Sequence, residues 1–433
     1  MDRMVCKENF MKKQYNIVEF FSGIGSQARA LENIGIKKKV LATCEWDMHA
    51  FIAYDAIHES TENLEQTELL TKEELIEFLS QFTLSHDGKT PMSYKTLCSY
   101  DVGILRRMYS AIVRTNNLVD ISCVTGDKMP NKVDILTYSF PCQDLSNVGA
   151  FHGYNKGIDK DSGSRSSLLW QVGRILSEMQ QLKKQMPRYL LLENVPTLLS
   201  ERHFPNFNIW IKQLKDLGYV SKYVRVNARH YGIPQNRLRL LMLSVYVGDN
   251  AAKEVIIKNY FDSLTEDKII DDYKNSKYYN PKKIEDLLRI PKNKKSHLWQ
   301  EALDCTPNDT PSRRKIWEEN PQIVGKNGKL FSEDFIRTIT TKQDRHPNSG
   351  NIYFDSGVEK RGKFRYLTPR ECLLFMGFED EDYDNLQKNN LVQRGRSCLF
   401  PRDKIIRMAG NSIPVKMLEG FFYQLYEIEE LMK

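Results

Sequence analysis

The chain has 433 residues, 41% hydrophobic and 27% charged, with a formal net charge of +7; that is enough for one large core plus a smaller domain. The mild positive charge suits a nucleic-acid partner without requiring one. The polar N-terminal stretch MDRMVCKENFMKKQYN is no secretory signal, and no run approaches the roughly 20 apolar residues of a spanning helix, which excludes a membrane class and points to the cytoplasm.

In chain order, YNIVEFF (15–21) reads as a strand, followed by SGIGSQ. ARALENIG (28–35) has helical spacing and a glycine stop. KVLATCE (39–45) is a second strand and MHAFIAYDAI (48–57) a helix. Residues 60–118 are polar and helix-prone and read as an insertion, in which TKEELIEFL (71–79) opens with a capping-box pattern, Thr71 with Glu74. VDILTYSF (133–140) and RYLLLE (188–193) are almost uncharged strands, with a helix, SLLWQVGRILSEMQ (167–180), between them. YVSKYVRV (219–226) and RLRLLMLSVYV (237–247) close the series. Strands alternating with helices predict an α/β fold, a mostly parallel sheet with helices on both faces. Residues 248–345 lose the alternation, are rich in Lys, Asn, Asp and Pro, and read as a second, smaller domain. Residues 346–433 return to helical patterning, and the C-terminal helix is expected to pack on the first domain, 15–247.

Gly23 and Gly25 follow the first strand and precede a helix, the place where a doubly wound sheet binds its ligand. Ala28 stands where the dinucleotide fingerprint has its third glycine, which argues against NAD. The second strand ends in CEWD, where Glu45 can accept from ribose hydroxyls and Trp46 can stack on a purine. A solvated acid beside a half-buried aromatic is the plainer alternative.

The eight cysteines are scattered and none lies in a C-x-x-C pair, so no zinc site is expected. Cys142, in SFPCQ, leaves a buried strand at the sheet's carboxyl edge, and a polar, glycine-rich stretch of lid character follows it. Packing residue and nucleophile both remain open for it on these grounds. RYLLLENV ends its strand in Glu193, a carboxylate at the same edge or simply an acid facing water. QNRLR places Arg237 and Arg239 on one face of a strand, suited to a phosphate, a base carbonyl or salt bridges.

The ordered set FFSGIGS, EW, SFPCQDLS, ENV, QNRLR, RYLTPRE and GNSIPV resembles the motifs of the C5-cytosine DNA methyltransferases, over about 15–246 and 360–430. The resemblance implies a Rossmann-like S-adenosylmethionine-dependent methyltransferase with 248–345 as target-recognition domain. It makes Cys142 the nucleophile, places Glu193 at the N3 edge of the cytosine, and puts Arg239 on the base or its phosphate. Arg237 and Gln235 support that element, and Arg165 flanks the lid and faces the active site. S-adenosyl-L-methionine would be lined by Phe21, Ser22, Gly23, Ile24 and Gly25, with Glu45 at its ribose, Trp46 at its adenine, Asp120 and Ile121 beyond, and Leu168, Asn411 and Ser412 completing the pocket. Gln143, Ser146, Gln235, Thr338 and Thr340 are the expected DNA contacts. The partner is then double-stranded DNA met by a monomer. A cognate restriction endonuclease acting on the same site without stable complex fits a bacterial modification enzyme. The alternatives are a tRNA cytosine-5 methyltransferase, which would have little between the arginine strand and the last helices, and an inactive DNA-binding regulator.

Overall fold

A computed structural model describes residues 13–59, 65–141, 145, 158, 165–331, 334–393, 395 and 397–433, with residues 65, 66 and 165 described by their backbone alone. The first strands are β1 (Gln14–Phe20), β2 (Lys37–Cys44), β3 (Ile135–Tyr138), β4 (Tyr189–Asn194) and β5 (Tyr219–Asn227), followed by the short β6 (Gln235–Asn236) and by β7 (Leu238–Tyr246). Six of them form one sheet in the order β2-β1-β3-β4-β7-β5. β1 runs parallel to β2 and β3, and β3 parallel to β4, whereas β7 is antiparallel to β4. The sheet is therefore mixed but mostly parallel. β3 and β4 are buried at every position, which is why they begin as apolar runs rather than alternating ones, with β4 ending in Glu193 and Asn194.

The helices Leu169–Gln181 and Phe204–Asp216 pack on this sheet through Val172, Leu176, Phe207, Trp210 and Leu214. The indole of Trp210 meets Tyr138 edge-on at 5.8 Å. The helix Met48–His58 is buried over all but its last residue. In the insertion, Thr71 and Glu74 form the expected capping box: the Thr71 N–H donates to Glu74 Oε2 at 2.8 Å and the Glu74 N–H to Thr71 Oγ1 at 3.2 Å.

The chain divides into two compact units. One comprises residues through Val226, Leu238–Tyr278 and Leu418–Lys433; the other comprises Asn227–Arg237 and Tyr279–Met417. These divisions fall elsewhere than at 247 and 345. The helices Ala251–Ser263 and Glu266–Lys274 belong with the large sheet: Ile257 and Ile269 are fully buried, and the Tyr260 hydroxyl donates to Gln424 Oε1 at 2.8 Å. Glu419 accepts from the Tyr273 hydroxyl and, at 2.7 Å, from Asn33 Nδ2. The smaller unit holds β8 (Gln322–Val324), β9 (Ile336–Arg337), β10 (Asn351–Tyr353) and β11 (Phe364–Arg365), in a sheet β11-β10-β8 and a separate β6-β9 pair. Its interior contains an unexposed ion pair, Arg365 Nη1 to Glu371 Oε2 at 2.7 Å. No helix among the described residues is long and apolar enough to cross a membrane.

Candidate functional site

The glycine loop begins where β1 stops. Phe21, Gly23 and Gly25 all take positive φ, at 56°, 55° and 81°. For Phe21 that conformation costs about 1 kcal/mol or more, and it persists because the surroundings impose it: the Phe21 N–H donates to the Cys44 carbonyl at 2.8 Å. The two glycines serve different ends. A Cβ on Gly25 would stand 2.2 Å from His58 Nε2, whereas one on Gly23 would meet nothing within 4 Å. Gly23 thus faces open space, and beside it the buried Ser22 hydroxyl has no hydrogen-bond partner among the described residues. An open backbone loop with an unused hydroxyl fits a small polar ligand laid over the β1 end.

Behind the loop, the unexposed Glu19 accepts from the Ala28 N–H at 3.2 Å and from the Tyr54 hydroxyl, and burial pushes its carboxyl up to about 7. His58 Nε2 lies 3.0 Å from the Ile24 carbonyl; burial, with the Arg29 charge adding, pushes its imidazole down to about 3, so the ring is neutral.

Glu45 closes the loop from the β2 side. Its Oε2 accepts from the Gly23 N–H at 3.2 Å and its Oε1 from the Asp47 N–H at 2.9 Å. Burial, reinforced by the Asp47 charge, pushes its carboxyl up to about 7. Trp46 is half-buried beside it. Asp120 is half-exposed and accepts from the Ser122 N–H at 2.9 Å, Ile121 is buried, and Val119 just before them holds the left-handed φ of 61°. Leu168, like Phe21, is half-buried against the main core. Asn411 and Ser412 belong to the smaller unit. Asn411 is exposed, and the buried Ser412 donates its hydroxyl to the Met408 carbonyl at 2.8 Å.

β3 and β4 are adjacent and parallel, so their carboxyl ends share one edge. There Glu193 Oε1 pairs with Arg239 Nε at 2.9 Å, with both side chains about one-tenth exposed (11% and 14%). Arg239 Nη1 also donates to the Leu238 carbonyl at 2.7 Å. Cys142, Gln143 and Ser146 lie outside the described residues, as does the side chain of Arg165, whose backbone opens the 3-10 turn Arg165–Leu168. Three side chains hold the described backbone on either side of Cys142. Asn194 Nδ2 donates to the Phe140 carbonyl at 3.0 Å, Ser166 Oγ to the Pro141 carbonyl at 2.6 Å, and Thr197 Oγ1 to the Leu145 carbonyl at 2.6 Å. Sequence reasoning gave none of the three a role, although Asn194 sits inside the quoted ENV motif.

The QNRLR element is corrected. Arg237 and Arg239 do not act as a pair on one strand face, because the strand is interrupted between β6 and β7. Arg237 is 2% exposed and spends its guanidinium on three carbonyls: Ile339 at 2.8 Å, Gly410 at 2.9 Å and Ser412 at 2.8 Å. Gln235 is unexposed; its Nε2 donates to the Phe375 carbonyl at 2.9 Å and its Oε1 accepts from the Ile339 N–H at 3.0 Å. Both side chains bond backbone groups within the smaller unit. Thr338 and Thr340 are part-exposed, but their hydroxyls donate to the Asn236 and Lys342 carbonyls at 2.6 and 2.8 Å.

A family model described as C-5 cytosine-specific DNA methylase matches residues 104–427. The type II methyltransferase M2.ScrFI of Lactococcus lactis subsp. cremoris is 30% identical over 418 residues, 95% of this chain and 99% of that protein. The orphan methyltransferase M.SssI of Spiroplasma monobiae is 33% identical over 419 residues, 94% of this chain and 96% of that protein. Among solved structures, the S. pombe Dnmt2 methyltransferase superposes with a TM-score of 0.57 at 16% identity, covering 95% of this chain and 98% of that one. The Entamoeba histolytica methyltransferase EhMeth gives 0.53 at 15% identity, covering 97% and 100%. These two likenesses carry the fold.

Proposed function

The chain belongs to the C-5 cytosine-specific DNA methylase family, and from that premise we propose that Cys142 is the nucleophile acting on a cytosine flipped out of duplex DNA. Cytosine C5 is a poor nucleophile while the ring is aromatic. Addition of the Cys142 thiolate to C6 breaks the aromaticity and makes C5 enamine-like, while Glu193 shares a proton at N3 and offsets the charge that develops there. Arg239, bonded to Glu193, holds that carboxylate in place. S-adenosyl-L-methionine, when bound, supplies the electrophilic methyl group that C5 takes up. Loss of the C5 proton and departure of the Cys142 thiolate restore the ring. Phe21 to Gly25, Glu45 and Trp46 hold the methyl donor, with Asp120, Ile121 and Leu168 alongside, and Asn411 and Ser412 are assigned to it by resemblance.

One observation carries the assignment. The Asn194 amide, next to Glu193, binds the Phe140 carbonyl two residues before Cys142 at 3.0 Å. That bond supports placing the carboxylate and the thiol at one sheet edge. Flipping costs a few kcal/mol of stacking and pairing, which phosphate contacts offset. The smaller unit is assigned the reading of base edges. The alternatives of an RNA enzyme or an inactive regulator are not favoured by a family and relatives described as DNA methylases and methyltransferases.

We assign the protein to the bacterial cytoplasm, as a monomer modifying DNA. One relative's name carries "type II" and another's "orphan"; the modification role with a separate endonuclease is the one proposed. Duplex DNA containing 5-fluorocytosine tests the chemistry, because fluorine cannot leave as the proton does. A covalent adduct with wild type, and none with Cys142→Ser that still binds DNA, is expected. Failure to trap during turnover, or substantial turnover by the Ser variant, refutes attack at C6. Bisulfite sequencing of host DNA then gives the target site.

A further inference from the structure

The insertion, residues 60–118, has no part in the chemistry above, yet it holds the segment on which the methyl donor would rest. β2 is an edge strand, so Glu45 and the residues after it have no further strand to satisfy their backbone groups. The insertion supplies the partners from both of its ends. From its C-terminal end, Asn117 Oδ1 accepts from the Glu45 N–H at 3.0 Å and Asn117 Nδ2 donates to the Glu45 carbonyl at 2.9 Å. The same end extends the edge, since the Leu118 N–H donates to the Thr43 carbonyl at 2.8 Å and the Thr43 N–H to the Thr115 carbonyl at 3.2 Å. From its middle, the Ser85 N–H donates to the Trp46 carbonyl and the Ser85 carbonyl accepts from the Met48 N–H, both at 2.8 Å.

Neither clamp is a loose surface contact. Asn117 is 3% exposed and Ser85 is unexposed. Ser85 is fixed by its own loop: its Oγ donates to the Thr90 carbonyl at 2.7 Å and accepts from the Gly88 N–H at 3.0 Å. The Asp87 carboxylate gathers the N–H groups of Lys89 and Thr90 at 2.8 and 2.9 Å. The insertion is in turn anchored on the helix Met48–His58, where Arg114 Nε donates to the buried Asp55 at 2.7 Å. The Glu45–Met48 segment is therefore gripped from both the middle and the C-terminal end of the insertion.

We infer that the insertion is a cofactor-affinity element: Asn117 and the Ser85 loop are positioning residues that fix the main chain of Glu45 and Trp46 before the methyl donor arrives. This rests on the assignment of Glu45 and Trp46 to that donor. Fixing the segment in advance removes its ordering cost from the binding step. The clamp therefore acts on binding of the donor, not on the reaction of the bound complex.

The test uses the full-length protein, with S-adenosyl-L-methionine and S-adenosyl-L-homocysteine as probes in calorimetric titrations without DNA. Asn117→Ala removes the inner clamp. Asp87→Ala loosens the Ser85 loop by removing the carboxylate that gathers the Lys89 and Thr90 N–H groups. Each is expected to weaken both probes about tenfold, the equivalent of one or two net hydrogen bonds. KM for the donor should rise in parallel, with kcat and DNA affinity within about twofold. Hydrogen exchange at the Met48 and Ser85 amides of the unliganded Asp87→Ala protein should quicken. Glu45→Ala and Trp46→Ala are the controls. If they too leave probe affinity unchanged, the assignment of the donor site fails. If they weaken it while Asn117→Ala and Asp87→Ala stay within twofold of wild type, the clamp alone is overturned. A fall in kcat at unchanged KM in the two clamp variants also overturns it.

Discussion

Replacing Arg237 with methionine should destabilise the smaller unit while leaving the glycine loop and Glu45 intact. Methionine matches the aliphatic stem of arginine, so the change removes mainly the guanidinium and its three bonds at 2.8, 2.9 and 2.8 Å. Hydrogen bonds from a charged group contribute about 1.5–3 kcal/mol each, a gross loss of roughly 4.5–9 kcal/mol. Methionine also removes the desolvation cost of a buried cation, several kcal/mol in the opposite sense, so a net loss of about 3–4 kcal/mol is expected. For a unit of this size that amounts to a melting temperature lower by about 10 °C. Scanning calorimetry measures it. Limited trypsin digestion localises it, because Arg337, Lys342 and Arg345 are exposed near the Ile339 carbonyl that would be released. Affinity for S-adenosyl-L-methionine without DNA should hold if Phe21–Gly25 and Glu45 dominate it. A melting temperature within about 2 °C of wild type and an unchanged digest would refute the strut. Lost donor affinity at unchanged stability would put Arg237 back at the site.

The other expectations concern the glycine loop and the acids behind it. Glu19 is held protonated to about pH 7 against 4.5 for a free carboxyl, so its contribution is complete below about 4.5 and is lost as pH rises through 7. Glu19→Gln should flatten the stability profile between pH 5 and 8, as urea unfolding at several pH values would reveal; an unaltered slope contradicts this. Glu45, also pushed up to about 7, accepts best from ribose hydroxyls when ionised, so donor affinity should increase from pH 6 to 8, and Glu45→Gln should remove that component while leaving any titration of the donor itself. Gly25→Ala, at φ 81° and 2.2 Å from His58, should lower stability by about 2–3 kcal/mol through strain and overpacking. Gly23→Ala, which meets nothing, should cost only about 1 kcal/mol of stability yet obstruct the donor, a contrast that paired melts and titrations can check.

Much of the larger unit is legible because β3 and β4 are buried throughout and show it as short, nearly uncharged runs. The helix Phe204–Asp216 was not foreseen. It begins FPNFN, with a proline and two asparagines that mimic a loop, and shows its face only through Phe207, Trp210 and Leu214. The helices of 251–274 group with the larger unit, although the loss of strand–helix alternation after 247 reads as the start of the second domain; Ile257, Tyr260, Phe261, Ile269 and Tyr273 are buried there. Period-two alternation through QNRLR does not hold, because Arg237 falls in the break between β6 and β7. The clamp on Glu45 and Trp46 could not have been read at all. Half of it is backbone, and backbone groups carry no residue signature.

The interleaving of the two units has a consequence for genetic exchange. The chain passes between them at 226/227, 237/238, 278/279 and 417/418. No single crossover within the gene transfers the smaller unit whole, and a cassette of 248–345 would carry part of the larger unit while leaving the Arg237 strut and the Arg365–Glu371 pair behind. A graft that moves the smaller unit intact would need two donor segments, 227–237 together with 279–417. Recombination between relatives should therefore yield working hybrids mainly where both segments come from one parent.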